Sequence, residues 1–141
     1  LTLAMAAYSL LGFSPEASLF DQEALFGRLS KIAPNVTLDV GHNALAAQSI
    51  AQAYAGRKVT LIYNTYGDKD YREILTLLSP VIEAVEIIDV SEARIVPRAL
   101  LEAVLEELAI SYSTFQTLRK EKEYLVFGSF SVAEAFLKRI S

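Results

Sequence analysis

The sequence contains no cysteine, which excludes disulfides and thiolate metal sites and makes a cytoplasmic protein the expectation. No apolar stretch approaches the ~18 residues of a membrane span, so a soluble chain with no membrane partner is expected. Basic residues are not in excess either: 13 Lys and Arg stand against 17 Asp and Glu, for a net charge of -4. That balance leaves no footprint for nucleic acid, and an anionic ligand must be held by a local site. Also missing are the G-x-x-x-x-G-K-S/T phosphate loop, a G-x-G-x-x-G after a strand, C-x-x-C, H-E-x-x-H and G-x-S-x-G. The triphosphate cradle of a P-loop enzyme therefore cannot come from this chain, and a self-sufficient active site is hard to find in it. The chain begins at Leu1 without methionine and reads as part of something longer. Its apolar opening, Leu1–Ala7, lacks the basic n-region and cleavage site of a secretory signal.

What is present is globular: 52% of the 141 residues are hydrophobic and 21% charged, enough for one sizeable core. From about Asn35 onward, β-rich runs alternate with helical patterns, the signature of an α/β domain with a mainly parallel sheet. The expected strands are Val36–Val40, Lys58–Tyr63, Val85–Val90, Ser111–Thr114 and Tyr124–Phe127, with Leu29–Ile32 as a further candidate. Asn43 is placed to N-cap a helix with an apolar face of Leu45, Ala46, Ile50, Ala53 and Tyr54, closed by Gly56 at C′. A short helix over Tyr71–Leu78 stops at Pro80. Pro97 opens another, whose face carries Leu100, Leu101, Val104, Leu105 and Leu108. The last helix is expected from Ser131, with Ser131 and Glu134 as a capping box. Before Asn35 the rhythm differs. Leu1–Leu11 reads as an apolar helix and Ser14–Asp21 as a polar turn, which suggests a domain boundary near residue 20.

In an open α/β sheet, ligands bind beyond the carboxyl ends of the strands. The segments there are Asp39-Val40-Gly41-His42-Asn43, Asn64–Asp70 and Gly128-Ser129, and Gly41, Gly67 and Gly128 offer close backbone approach. Asp39 could accept hydrogen bonds from a ribose cis-diol, or it could cap a turn or helix. His42 could donate to phosphate or change charge near neutral pH, or be a hydrogen-bonded turn histidine. Lys69 could pair with a substrate carboxylate, or belong to a solvated Asp-Lys-Asp turn. Arg28 offers a fork for phosphate and a face for stacking, or is an exposed arginine before a strand. Tyr63, Tyr66 and Tyr71 read as core aromatics.

These segments, in order, carry a resemblance. Gly27-Arg28, Asn35–Asn43 with Ala46-Ala47, Asp68-Lys69-Asp70 and Val126-Phe127-Gly128-Ser129 resemble the C-terminal domain of folylpolyglutamate and dihydrofolate synthases, of the Mur ligase superfamily. The D-x-G-H-N element is the specific part. The resemblance covers roughly Phe26 to Ile140, and Leu1–Gly12 is similar to the last helix of the central domain in the same family. It implies a division into residues 1–20, a tail of the central ATPase domain with linker, and residues 21–141, a Rossmann-like C-terminal domain with helices on both sheet faces. It also implies an ATP-dependent ligase that joins glutamate to a folate or dihydropteroate through an acyl phosphate. The central P-loop domain, as partner, would hold the ATP phosphates and Mg²⁺, while the C-terminal domain closes over the nucleotide. Carried over by residue, Arg28 would contact the nucleotide near its phosphates and Asp39 the ribose. His42 would lie between nucleotide and reacting groups, as the candidate catalytic residue, with Lys69 and Ser129 toward the glutamate side. Ala44 replaces the proline that commonly follows the His-Asn pair, and Val40 stands where a small residue is frequent; neither removes a functional group. The competing reading is a non-catalytic α/β nucleotide-binding or regulatory module, in which Asp68 and Asp70 would form a metal-binding acidic pair.

Overall fold

A computed structural model of the chain describes residues 28–141. The expected Leu1–Leu11 helix, the Ser14–Asp21 turn, Gly27 and the boundary near residue 20 lie outside the described residues. Six strands form one sheet: β1 (Ser30–Ala33), β2 (Val36–Asp39), β3 (Val59–Tyr63), β4 (Ile82–Ile87), β5 (Tyr112–Thr114) and β6 (Tyr124–Phe127). The helices are α1 (Ala44–Ala53), α2 (Tyr71–Leu78), α3 (Arg98–Glu107) and α4 (Phe130–Ile140), with a 3-10 turn at Ser79–Val81. Among the described residues, no helix is long and apolar enough to cross a membrane.

The sheet runs in the order β1-β2-β6-β3-β4-β5, and only the β1–β2 pair is antiparallel. The central strands β2, β3 and β6 are buried along their whole length, which is why their sequences are continuous apolar runs instead of alternating ones. Ala47, Ile50, Ile74, Leu75, Leu101 and Leu105 of α1, α2 and α3 pack on one face with Leu61, Tyr63, Leu125 and Phe127. On the other face α4 supplies Val132, Ala133, Phe136 and Leu137 against Val36, Leu38, Ile62 and Val126. Each buried Val, Leu, Ile or Phe side chain among them contributes roughly 1.5–3 kcal/mol by burial, and Ala47 and Ala133 less. The two-sided α/β architecture is the expected one.

Several boundaries differ from the sequence expectation. β4 begins at Ile82, because the 3-10 turn around Pro80 feeds directly into the strand. Leu45 and Leu100, expected on buried helix faces, are 71% and 52% exposed; α1 and α3 each use a narrower stripe. Gly56 lies one position past C′, since Tyr54 is the C-cap of α1. The N-cap of α4 is Ser129, whose Oγ accepts from Val132 N at 3.2 Å, and not Ser131.

One topological fact positions the site. From β2 the chain passes to α1 on one face, whereas from the neighbouring β6 it passes to α4 on the other. The two connections diverge and leave a crevice at the carboxyl ends of β2 and β6, the place where open α/β sheets bind ligands.

Candidate functional site

Asp39 is the last residue of β2 and pairs in register with Phe127 of β6. Gly128 and Ser129 follow Phe127, so Asp39 and Ser129 sit at the same edge of the sheet. Past Asp39 the chain turns into α1, with Asn43 in extended geometry as N-cap; its Oδ1 accepts from Ala46 N at 2.9 Å. Gly41 makes that tight turn possible. A Cβ there would come within 2.9 Å of Asp39 Oδ1 and 2.5 Å of Ala46 Cβ, a cradle with room for backbone and ligand but not for a side chain.

The Asp39 carboxylate is 5% exposed, and both of its oxygens are engaged. Oδ1 accepts from Gly41 N at 2.7 Å and Oδ2 from Leu29 N at 3.2 Å. Leu29 has a φ of 47°, a left-handed conformation that costs a non-glycine residue on the order of 1 kcal/mol. The hydrogen bond to Asp39 helps to hold it, and so fixes the approach of Arg28. Burial pushes the Asp39 pKa up, while the Gly41 and Leu29 N–H groups and the Arg28 charge oppose the rise without cancelling it. A buried carboxylate with spare lone pairs is thereby held beside a guanidinium.

A cavity of about 440 Å³ opens over this turn, lined among others by Arg28, Asp39, Gly41, His42, Asn43 and Phe130. The structure thus brings three of the five candidate residues, Arg28, Asp39 and His42, around one crevice. Phe130 is 56% exposed, and Leu45 joins it on the cavity rim. Sequence reasoning passed over both. The position of Phe130, an aromatic residue directly after Gly128-Ser129 at the ligand edge, is the signal that could have found it. A larger hollow of about 580 Å³ lies on the outer side of α4. Its lining mixes Asp89, Glu92 and Glu134 with Lys138 and Arg139, and neither Gly41 nor Gly128 borders it.

Lys69 and Ser129 do not line the Asp39 crevice. Lys69 is half-buried in the turn after β3, where its N–H donates to Tyr66 O at 3.2 Å. Ser129 is buried, and its hydroxyl oxygen is engaged in capping α4. Gly128, with φ at 141°, passes so close to Asn64 that a Cβ would collide with the Asn64 carbonyl. At Gly67 a Cβ would meet only ordinary contacts, Val96 Cα at 3.8 Å and Arg94 O at 3.9 Å. Asp70 N-caps α2 by accepting from Glu73 N at 3.2 Å. Among the described residues, no group of three or more His, Asp or Glu side chains is arranged to hold a metal ion.

A mainly parallel sheet with the final strand inserted beside β2, helices on both faces and a crevice at the switch point is consistent with a domain of the Mur ligase C-terminal type. No protein-family model matches the sequence, and no curated protein matches it. Solved structures do. Helicobacter pylori folylpolyglutamate synthetase is 36% identical over 96% of this chain and 37% of its own, with a TM-score of 0.80. Mycobacterium tuberculosis folylpolyglutamate synthase, complexed with ADP and AMPPCP, is 26% identical over 81% of this chain and 31% of its own, with a TM-score of 0.60. The bifunctional folylpolyglutamate synthase/dihydrofolate synthase of Yersinia pestis, complexed with AMPPNP and a Mn ion, shares the fold at 23% identity, over 89% of this chain and 32% of its own, with a TM-score of 0.66. The chain belongs to the folylpolyglutamate synthase family. It spans about a third of the length of these relatives.

Proposed function

We propose that this chain is the nucleotide-closing domain of an ATP-dependent ligase that adds glutamate to a folate or dihydropteroate. The observation that carries the reading is the gathering of Arg28, Asp39 and His42 around one crevice at the β2–β6 switch point. The residues suit a nucleotide. Arg28 supplies a cation for phosphate, the glycine turn at Gly41 admits close approach, the remaining lone pairs of Asp39 suit ribose hydroxyls, and the apolar rim of Leu45 and Phe130 tolerates a base. His42, exposed on the turn, is the candidate to donate toward the reacting groups. ATP would supply the phosphoryl group that converts a carboxylate into an acyl phosphate, for attack by the glutamate amine. This chain's part is to bind, orient and exclude water from that intermediate. Lys69 and Ser129 form the glutamate side of the proposal. The described residues hold no cluster of three acidic or imidazole side chains that could bind a metal ion, and Mg²⁺ would take its protein ligands from a partner P-loop domain. Nucleotides bound to the Mycobacterium tuberculosis and Yersinia pestis relatives, with Mn in the latter, support this reading.

Two measurements test it. With its P-loop domain present, Arg28→Ala should raise the ATP KM about tenfold, as loss of a charge-assisted hydrogen bond of roughly 1.5–3 kcal/mol requires. An unchanged KM removes Arg28 from the nucleotide site. The 141-residue chain by itself should show no ligase turnover with ATP, folate and glutamate. Turnover matching a full-length enzyme would overturn the division of labour.

A further inference from the structure

Beside the candidate site, three loops at the carboxyl edge meet on one side chain. Tyr66, in the loop after β3, donates its hydroxyl hydrogen to Glu92 Oε2 at 3.0 Å, in the loop after β4. The same hydroxyl lies 2.5 Å from Ser131 Oγ, in the first turn of α4. The Ser131 and Tyr66 hydroxyls and the Glu92 carboxylate thus form one hydrogen-bonded chain across the three segments. The two hydroxyls hold the Glu92 carboxyl below its ordinary range.

The ring is fixed as firmly as the hydroxyl. The Arg94 guanidinium lies over it, 4.2 Å from the centroid, and Tyr66 forms a β-bridge with Ile95. Gly67 N donates to Arg94 O and Val96 N to Thr65 O, both at 2.9 Å. On one side, Tyr66 O accepts from Lys69 N and so closes the turn that carries Lys69. On the other, Ser131 is the second residue of α4. It follows directly on Ser129, the N-cap, and Phe130, which lines the Asp39 crevice. Lys69 and Ser129 lie on separate connections, and the Tyr66 hydroxyl adds a side-chain link between their turns beyond the pairing of β3 with β6.

We infer that Tyr66, through Glu92 and Ser131, is a positioning residue that ties the Lys69 turn to the first turn of α4 and so sets the geometry of the glutamate side. The inference rests on the proposed role of Lys69 and Ser129 toward glutamate. Removing the hydroxyl loosens one turn against the other while leaving both helices and the sheet intact. Binding of the amino acid that spans them is weakened; nucleotide binding at the β2–β6 crevice is not.

The test uses the full-length enzyme with Tyr66→Phe, Ser131→Ala, the double variant and Lys69→Ala. Tyr66→Phe keeps the ring beneath Arg94. It should raise the glutamate KM about tenfold, with kcat and the ATP KM unchanged within about twofold. Ser131→Ala should do the same, and the double variant should be no worse than either single one, because one chain is cut twice. Amide hydrogen exchange at Val132 and Ala133 should accelerate in Tyr66→Phe, a readout independent of glutamate. Unchanged exchange overturns the inference. So does a glutamate KM that rises in Lys69→Ala but not in Tyr66→Phe, an outcome that leaves the functional reading standing. A glutamate KM indifferent to Lys69→Ala overturns that reading, and this inference with it.

Discussion

Gly128→Ala is expected to lower the melting temperature by roughly 10 °C or to prevent folding, the largest effect of any single methyl group at this edge. Two penalties coincide. The backbone φ of 141° disfavours any L side chain, and the new Cβ would run into the Asn64 carbonyl and approach Val132 Cγ2 at 3.1 Å. Neither neighbour can retreat cheaply. Asn64 is buried, its Nδ2 donates to Ile88 O at 2.8 Å, and its Oδ1 accepts from Thr65 N at 2.8 Å. Val132 is fully buried against the sheet. Together these amount to about 3 kcal/mol or more. Gly67→Ala is the control, because its Cβ would meet nothing nearer than Val96 Cα at 3.8 Å. Thermal melts by circular dichroism decide the matter, and a Gly128→Ala midpoint within about 2 °C of the parent would refute the steric account.

Asp39→Ala should damage both stability and ATP use, because the carboxylate serves the fold and, in the proposed function, the ribose. Two backbone N–H groups, of Leu29 and Gly41, lose their acceptors, at about 1–3 kcal/mol for each that stays shielded from water. In the enzyme with its P-loop domain, the ATP KM should rise tenfold or more. Discrimination between ATP and 2′-deoxy-ATP should largely vanish, which separates loss of a ribose contact from loss of a turn. A lowered midpoint with unchanged ATP kinetics would leave Asp39 a scaffold residue alone. Asp39→Asn isolates the charge. Since burial raises the folded pKa above 3.8, the folded state holds that proton more tightly than the unfolded chain does. Asp39 therefore favours folding most below the unfolded pKa, and this contribution falls as pH rises through the window up to the folded pKa, then levels off. The stability of the parent relative to Asp39→Asn should decline with rising pH over that interval, measured by denaturant titration. A difference that grows with pH would mean the carboxyl is held down, not up.

The local elements were legible in the sequence because their signals are local. Val59–Tyr63 and Tyr124–Phe127 are apolar runs too short for helices, and Asn43 caps the helix that follows it, as expected. What could not be read were choices settled by distant partners. Ser131 was the expected cap of the last helix, but Ser129 caps it, while Ser131 bonds Tyr66, 65 residues away. Leu45 has the periodicity of a core residue yet faces the crevice, since the small Ala46 and Ala47 are what α1 presents toward the sheet. For the site, the strand-end rule singled out Asp39 and His42, the chemistry of a guanidinium singled out Arg28, and these share one cavity. The commitment of both Asp39 oxygens to the backbone was invisible, because it depends on where β1 begins. Tyr66 read as core for the same reason: its partners lie in two other loops.

The position of β6 has a consequence for how the chain acquires its structure. The strand made last among the six is the one that joins β2 to β3. Until residues 124–127 are available, the β1–β2 hairpin and the β3–β4–β5 layer share no strand pairing, and each presents an unpaired edge. Closure requires contacts remote in sequence, with Val36 meeting Tyr124, so its rate is limited by loop entropy more than by helix formation. During synthesis the half-made domain exposes two apolar strand edges, on β2 and on β3, that invite pairing with other chains. It is protected only when the final strand enters between them.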